Sequence, residues 1–507
     1  MEDFIRYSAV SNNTRFLACR LAVVRRLQYS RWRFSDSFAT TVTSENLQRF
    51  HPSMSANDLV IVGGGITGMV TAYLAAREGS RVTLIERSPR LGGLLACFPT
   101  SGDPLECYYH HFFTHDAEIR WLSEELGLSG RLRFENSSLG NFKNGRIFPF
   151  SRPQHLFSYS PLSLAGRLRF AASTAFLARK KNWREYEHVS TLDWFYRYAG
   201  REVTDCIWRP LLEIKFGRYA DQVPLAWMIG RLRQRAGSRS GGKEKLGYMS
   251  GSLQVLVDAL EERLTKLDVR ILRGTTVKQV LVEGGVIGAV VLESGERLPA
   301  RKVISTIPSP FLAKLLSGAE HSYVDSLCRC EYFGAICLIL FLKRRLSPIY
   351  WLNVTDPGFP FGGVIEHTNF IPPDRYGGQH IAYLSRYFEP DNRLAFQEPQ
   401  GVIEEWLTAL PKIYPDFEQS WIRDVKFFRT AIAATVCPKG FSQIVPKVKT
   451  PIGGLFIANM EHIYPDERSC NNAIRVAANL ATVLGIPHRV PANASLSGQV
   501  GFEAPRD

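Results

Sequence analysis

Apolar residues fall into clear blocks only after residue 57. Before that point there is no strand-like run and no glycine, and apolar and Arg residues mix at roughly helical spacing from Phe16 to Arg33. At Asp58 the pattern changes. Leu59-Val60-Ile61-Val62 is an unbroken apolar run ending in glycine, which predicts a strand buried on both faces. The spacing then predicts a helix over 66–78 with Gly79 as its stop, and a second strand over 81–85. Farther on, 270–298 reads as short strands broken by Gly284-Gly285 and Gly295, 302–306 as a strand closed by Ile307-Pro308, 454–458 as a late strand, and 472–484 as a helix. The pieces of one α/β domain are thus scattered along the chain.

The segments between them differ in character. Residues 150–245 are helix-prone, aromatic and basic, whereas 332–386 holds strand-like runs at Phe333–Leu342, Gly362–Ile365 and His380–Arg386. The expected fold is α/β: a Rossmann-like nucleotide-binding domain, discontinuous over 58–149, 246–320 and 440–486, with a second, mixed α+β substrate domain from 150–245 and 321–439. Residues 487–507 are expected to be a disordered tail. The longest clean apolar run, Gly334 to Leu342, is far short of the roughly 20 residues that cross a bilayer, so no transmembrane helix is expected.

Composition adds limits. With 507 residues, 45% of them hydrophobic, the chain is long enough for two or three cored domains. Its nine cysteines include no CxxC pair and no adjoining His cluster, so neither a metal site nor a disulfide framework is expected, and a reducing compartment is the simplest reading. Net charge is +14, and two basic clusters stand out, Arg167 to Arg184 and Arg231 to Lys245. Each reads either as a solvated helix face or as a surface for anionic lipid or a phosphorylated substrate. No nucleic-acid motif accompanies them. Residues 1–57 resemble an organelle transit peptide, which implies a mitochondrion or plastid. Glu2 and Asp3 run against that reading, and Met54 suits a start codon assigned too far upstream; a folded role is a third reading, and a cytoplasmic location follows if the segment does not target.

The strongest motif is Gly63-x-Gly65-x-x-Gly68 between strand and helix, which with Ile66 and Thr67 opens the helix. The first glycine permits the turn, the second lets backbone approach a diphosphate, and the third allows close helix packing while the helix N-terminus faces the anion. Glu86, 23 residues after Gly63, ends the second strand where a carboxylate can accept both hydroxyls of an adenosine ribose. Arg87-Ser88-Pro89-Arg90-Leu91-Gly92-Gly93 follows, with a second glycine pair where backbone must pass close to a cofactor.

These features, with Gly247-Tyr248-Met249-x-Gly251-x-Leu253, Ile304 to Pro308, Gly454 to Asn459 and Ser469 to Ile474, resemble the FAD-dependent amine oxidase, protoporphyrinogen oxidase and phytoene desaturase superfamily from Asp58 to Gly485. The resemblance implies FAD as cofactor, held by the Gly63 loop, Glu86, Arg87, Gly92 and Gly93. It further implies that the Val277 backbone holds adenine and that Asn459, where the superfamily has Asp, meets the ribityl chain. A helix starting near Asn472 and Ala473 would aim N–H groups at the flavin pyrimidine edge. Leu94 replaces an Arg frequent in amine oxidases, so an amine is the less expected substrate. Cys470 reads as a buried thiol rather than a covalent flavin link.

On the substrate side, Tyr108 to Phe113 contains His110 and His111. The pair reads either as core packing or as a position beside the flavin, and His111-Phe112-Phe113 is similar to a stretch of UDP-galactopyranose mutases. Lys215, in a segment similar to the substrate cavity of protoporphyrinogen oxidases, is the third catalytic candidate, with a plain surface lysine as its alternative. Glu366, His367, Asn369, Arg386, Tyr464, Asp466 and Arg468 are weaker candidates for substrate contact. The resulting expectation is hydride transfer from an apolar or lipid-linked small molecule to flavin N5, with an unidentified electron acceptor and peripheral membrane contact. The alternatives are a mutase-like flavin isomerase and a non-catalytic FAD-binding protein.

Overall fold

The computed structural model describes residues 59–240, 243–491 and 500–502; the expectations for residues 1–57 lie outside these. Its centre is a five-stranded parallel sheet of β1 (Leu59–Val62), β2 (Val82–Ile85), β3 (Arg270–Leu272), β4 (Lys302–Ser305) and β5 (Leu455–Ile457), in the order 3-2-1-4-5. The alternation of β1 explains why it is apolar throughout. Leu59 and Ile61 enter a core shared with three helices, α1 (Ile66–Arg77), α2 (Gln254–Lys266) and α3 (Cys470–Val483), whereas Val60 and Val62 enter a second core on the other face. That second face is covered by an antiparallel sheet of residues 277–299 and the helix Ser309–Leu315.

A seven-stranded sheet forms the second layer, in the order 422–435, 332–342, 380–388, 363–366, 351–354, 139–143 and 146–149. Its second strand, Tyr332–Leu342, is buried at every position and pairs antiparallel with both neighbours, Leu338 facing Leu384 on one side and Phe427 on the other. Two features depart from the sequence expectation. Residues 139–149, expected in the nucleotide domain, form the far edge of this sheet, and the fourteen-residue strand Ile422–Thr435 was not foreseen. Its Arg423, Asp424, Lys426 and Arg429 mask its pattern, because an edge strand keeps one side wet.

The basic insertion folds as helices around an aromatic core in which Phe195 stacks on Trp208 at 4.3 Å. Within 487–507, expected as a disordered tail, residues 500–502 pack on the fold: Val500 is buried, and the Gly501 carbonyl accepts from the Val448 N–H at 3.0 Å.

Glu366 closes the strand Gly363–Glu366 and is a structural residue. Its buried carboxylate accepts the Leu346 N–H at 2.8 Å and the Ser347 hydroxyl at 2.5 Å, tying the turn after Tyr332–Leu342 to the sheet. Burial pushes its pKa up to about 7, against the hydrogen bonds from Ser347 and Leu346. A folded-state pKa above the unfolded one contributes stability at low pH that is lost as pH rises through about 7. Relative to Glu366→Gln, the wild type is therefore expected to lose up to about 3 kcal/mol between acid and neutral pH, measured by denaturant unfolding across pH. A stability difference independent of pH would contradict the assignment.

Candidate cofactor and substrate site

The cofactor cradle is made almost entirely of backbone. Gly63 has φ +113°, and a side chain there would strike Thr306. A Cβ on Gly68 would sit 2.0 Å from the Gly63 carbonyl oxygen, so only glycine lets the first turn of α1 lie against the end of β1. Gly65 differs: a Cβ there meets nothing within 4 Å. This open space lies before the N-terminus of α1, which has no side-chain cap and whose first N–H groups have no intrahelical partner. The second glycine pair borders it, since Gly92 donates its N–H to the Gly64 carbonyl at 2.9 Å and a Cβ on Gly93 would lie 3.2 Å from Gly65 Cα. Uncapped donors facing a gap shaped by glycines fit a diphosphate.

Glu86 is oriented by two backbone donors, Gly64 N–H at 2.7 Å to one carboxylate oxygen and Ser88 N–H at 2.8 Å to the other. Each oxygen keeps a lone pair for a ribose hydroxyl. The Glu86 carbonyl accepts from Thr275 N–H at 3.0 Å, which brings the start of the Val277–Glu283 strand alongside it. Gly63, Gly65, Ile66, Thr67, Gly68, Glu86, Gly92, Gly93 and Val277 thus converge. Arg87 does not join them: it is exposed, its guanidinium 6.0 Å from the centre of the Phe311 ring.

The second half of the cradle is α3, joined to α1 where the Thr67 hydroxyl donates to the Ala473 carbonyl at 3.3 Å. Three expectations change here. The helix begins at Cys470, and the N–H groups of Asn472 and Ala473 are already given to the Ser469 hydroxyl and carbonyl, each at 3.0 Å. The turn's outward donors are therefore those of Cys470 and Asn471. Asn459 is turned inward: its Nδ2 donates to the Ile307 carbonyl at 2.9 Å, and its Oδ1 accepts from Glu461 N–H at 2.9 Å, so its side chain serves the fold. Cys470 is buried and burial pushes its thiol pKa up, in keeping with a plain core thiol.

His110 and His111 sit deep in the protein and are only partly accessible. The carbonyl of Tyr108 lies 2.6 Å from His110 Nδ1, so that nitrogen carries the proton. His111 has its ring edge-on to Phe113 at 5.3 Å and Trp351 at 5.8 Å, and its buried Nδ1 has no hydrogen-bond partner among the described residues. Burial holds both imidazoles down at about 3, helped by Arg468 at His110 and by Arg235 at His111. Both are neutral at physiological pH, which makes them hydrogen-bonding groups and weak bases rather than acids.

Lys215 is neither free nor on the surface. It pairs with Glu467, which also pairs with Arg231, and its ammonium lies 4.9 Å from the centre of the Trp227 ring. Arg468 Nη2 donates to the Tyr387 hydroxyl at 3.2 Å, and its buried Nε has no partner among the described residues. Arg235 pairs with Glu244 at 3.2 Å. Arg231 and Arg235 follow Trp227 at four-residue steps on the helix Leu225–Gly237, so they share its inward face. That spacing was the overlooked signal that this basic cluster turns inward. The other candidates are structural. His367 Nε2 bonds the Tyr376 hydroxyl at 2.6 Å, Asn369 donates to the Ser347 carbonyl at 2.7 Å, and Arg386 holds the Phe359 and Pro360 carbonyls. Asp466 pairs with Arg475 at 2.9 Å, and Tyr464 packs on Trp183.

Residues 66–475 match the profile of the family described as flavin containing amine oxidoreductase. The chain belongs to that family, and the cradle fits the FAD that the family's flavin requires. Among individual relatives, it is 29% identical over 292 residues to a coproporphyrinogen III oxidase of Mycobacterium tuberculosis, covering 52% of this chain and 62% of that one. It is 20% identical over 432 residues to the 15-cis-phytoene desaturase of Solanum lycopersicum, covering 79% of this chain and 73% of that one. A solved putative protoporphyrinogen oxidase from Exiguobacterium sp. 255-15 superposes with a TM-score of 0.67 at 19% identity, over 85% of this chain and 99% of the other.

Two glycines separate folding from cofactor binding. Gly65→Ala adds a methyl to open space at φ −72°, so apoprotein stability is expected to stay within about 0.5 kcal/mol while FAD affinity falls about ten-fold or more. Gly68→Ala forces a methyl against backbone and is expected to cost about 1–3 kcal/mol or more of stability. Thermal unfolding of apoprotein and FAD titration check both; equal effects in the two variants would contradict the diphosphate position.

Proposed function

We propose that the protein is an FAD-dependent oxidoreductase whose substrate combines an apolar body with at least one acidic group. The observation that carries this reading is the placement of Arg468, Arg231 and Lys215 near Tyr387 and the two neutral histidines, next to the aromatic rings of Tyr109, Tyr350 and Trp351. Bound flavin supplies the chemistry, accepting a hydride from a C–H or C–N carbon. This chain's residues bind, orient and exclude water. The Gly65 gap and Glu86 hold the dinucleotide, and the start of α3 directs its positive end toward the flavin. Tyr109, Trp351 and Tyr350 provide dry apolar walls, with Tyr109 edge-on to Trp351 at 4.9 Å. Glu467 neutralises only part of the charge of Lys215 and Arg231, and Arg468 faces a neutral phenol. A carboxylate or phosphate on the substrate would complete that pairing.

The relatives supply candidates: a porphyrinogen bears carboxylates on an apolar macrocycle, whereas phytoene bears none. The mutase-like and non-catalytic alternatives are not favoured, because the family profile is that of a flavin oxidoreductase and the sequence relatives include oxidases and a desaturase. The test is anaerobic mixing of the FAD-loaded protein with acidic porphyrinogens, their neutral esters and phytoene, following the flavin absorbance. Bleaching by the acids and about ten-fold less by the esters is expected. Arg468→Met is expected to raise KM for an acidic substrate more than it lowers kcat. Bleaching by phytoene alone would overturn the acidic-substrate reading, and turnover only after chemical reduction of the flavin would overturn the oxidoreductase reading.

A further inference from the structure

Large apolar side chains that are mostly exposed are few among the described residues, and five of the eight fall between 157 and 198. Phe157 is 73% exposed, Leu164 71%, Leu168 69%, Tyr198 56% and Phe176 48%. Four of them lie on or beside one helix, Leu164–Ala178, begun by the Ser163 cap, whose hydroxyl accepts the Gly166 N–H at 3.0 Å. Leu164, Leu168 and the exposed Ala171, Ala172 and Phe176 follow its helical repeat down one side. Gly166, Ser173 and Leu177 on the opposite side are buried, Phe170 stacks on Trp208 at 5.3 Å and Phe176 on Trp194 at 6.0 Å, so the helix is seated firmly while Leu164 and Leu168 stay mostly exposed among the described residues. Arg167 extends the surface by holding the Tyr159 and Leu162 carbonyls at 3.1 and 2.9 Å and the Phe157 carbonyl as well, which fixes Phe157 beside the helix.

Charge decides what this surface fits. Residues 151–184 contain seven Arg or Lys and no Asp or Glu. Arg169, Arg179 and Lys181 are exposed around the apolar strip, Lys180 caps the Phe176 ring at 4.3 Å, and Arg197 lies 5.5 Å over Tyr198. An ordinary solvated helix would mix signs and keep its outer side polar. Acids are present at the strip's border, with exposed Glu202 accepting from the Ser163 cap and exposed Glu185 just beyond Arg184, but basic residues outnumber them; a protein partner with an apolar groove would explain the strip but not that basic excess. No helix among the described residues is long and apolar enough to cross a membrane.

We propose that this surface docks on a bilayer containing anionic lipid, with the helix lying in the interface plane, Phe157, Leu164, Leu168 and Phe176 among the acyl chains and the basic rim against the headgroups. A fifteen-residue helix gives a contact about 22 Å long. Behind it packs the helix Leu225–Gly237, whose far side carries Trp227, Arg231 and Arg235 at the substrate cavity. One helix layer thus separates the docked face from the pocket.

The test uses the full-length, FAD-loaded protein in co-sedimentation with vesicles of phosphatidylcholine alone or with phosphatidylserine. Phe157→Ser/Leu164→Ser/Leu168→Ser and Arg179→Glu/Lys181→Glu change exposed positions only, and unaltered flavin spectra and melting temperatures establish that they fold. Wild type is expected to bind phosphatidylserine vesicles about ten-fold or more tightly than neutral ones, and less tightly in high salt, with both variants losing about ten-fold. Wild-type binding that is absent, indifferent to lipid charge or unchanged in both variants would overturn the proposal. So would a wild-type dimer that the serine variant dissociates, since a second copy would then cover the strip. Flavin content and substrate oxidation are separate readouts, so failure here leaves the oxidoreductase reading standing.

Discussion

Backbone proximity between β1 and α1 is the constraint on which the site depends. The Gly63 carbonyl occupies the space that any side chain on Gly68 would need, and the Thr306 hydroxyl donates toward that same carbonyl at 3.0 Å and toward Val62 at 3.1 Å. One turn therefore fixes the strand end, the helix start and the neighbouring strand β4 together. Because the helix start is held by packing rather than by a capping side chain, its N–H groups remain directed at the gap over Gly65. Glu86 is oriented by the same turn, through Gly64.

A second constraint joins the two layers. Glu461, fully buried, accepts from Ser309 N–H at 3.0 Å and the Ser309 hydroxyl at 2.5 Å, and from the Tyr332 hydroxyl at the start of the large sheet's strand Tyr332–Leu342. Burial raises its pKa, and these donors oppose the rise. Asn459, expected to meet the ribityl chain, serves this network instead through its bonds to Glu461 and Ile307, which accounts for an amide where the resembled superfamily has Asp: a second carboxylate beside Glu461 would add an unpaired buried charge.

The nucleotide half was legible in the sequence because its signals are local. β1, α1 and β2 lie within a residue of their expected ends, and Gly63 and Gly68 of the motif have no room for a side chain. The site's other half was less legible, since burial decides it. Lys215 reads as a surface residue until Glu467, far away in sequence and shared with Arg231, is placed against it. Glu366, His367 and Asn369 look like a polar cluster facing a ligand, and only the fold turns them onto Leu346, Ser347 and Tyr376. The helix starting at Cys470 was placed two residues late because Ser469, its cap, precedes a run of Asn that is itself poorly helical.

The order of the parallel sheet has a consequence for biosynthesis. β1 emerges from the ribosome early, yet its layer is finished only by β5 at residues 455–457, and α3, which meets α1 at Thr67, follows later still. During translation the nascent polypeptide therefore exposes a strand edge and an incomplete cradle for most of its length. Loading with cofactor is an event of the nearly finished chain, and products of premature termination lack the means to retain it.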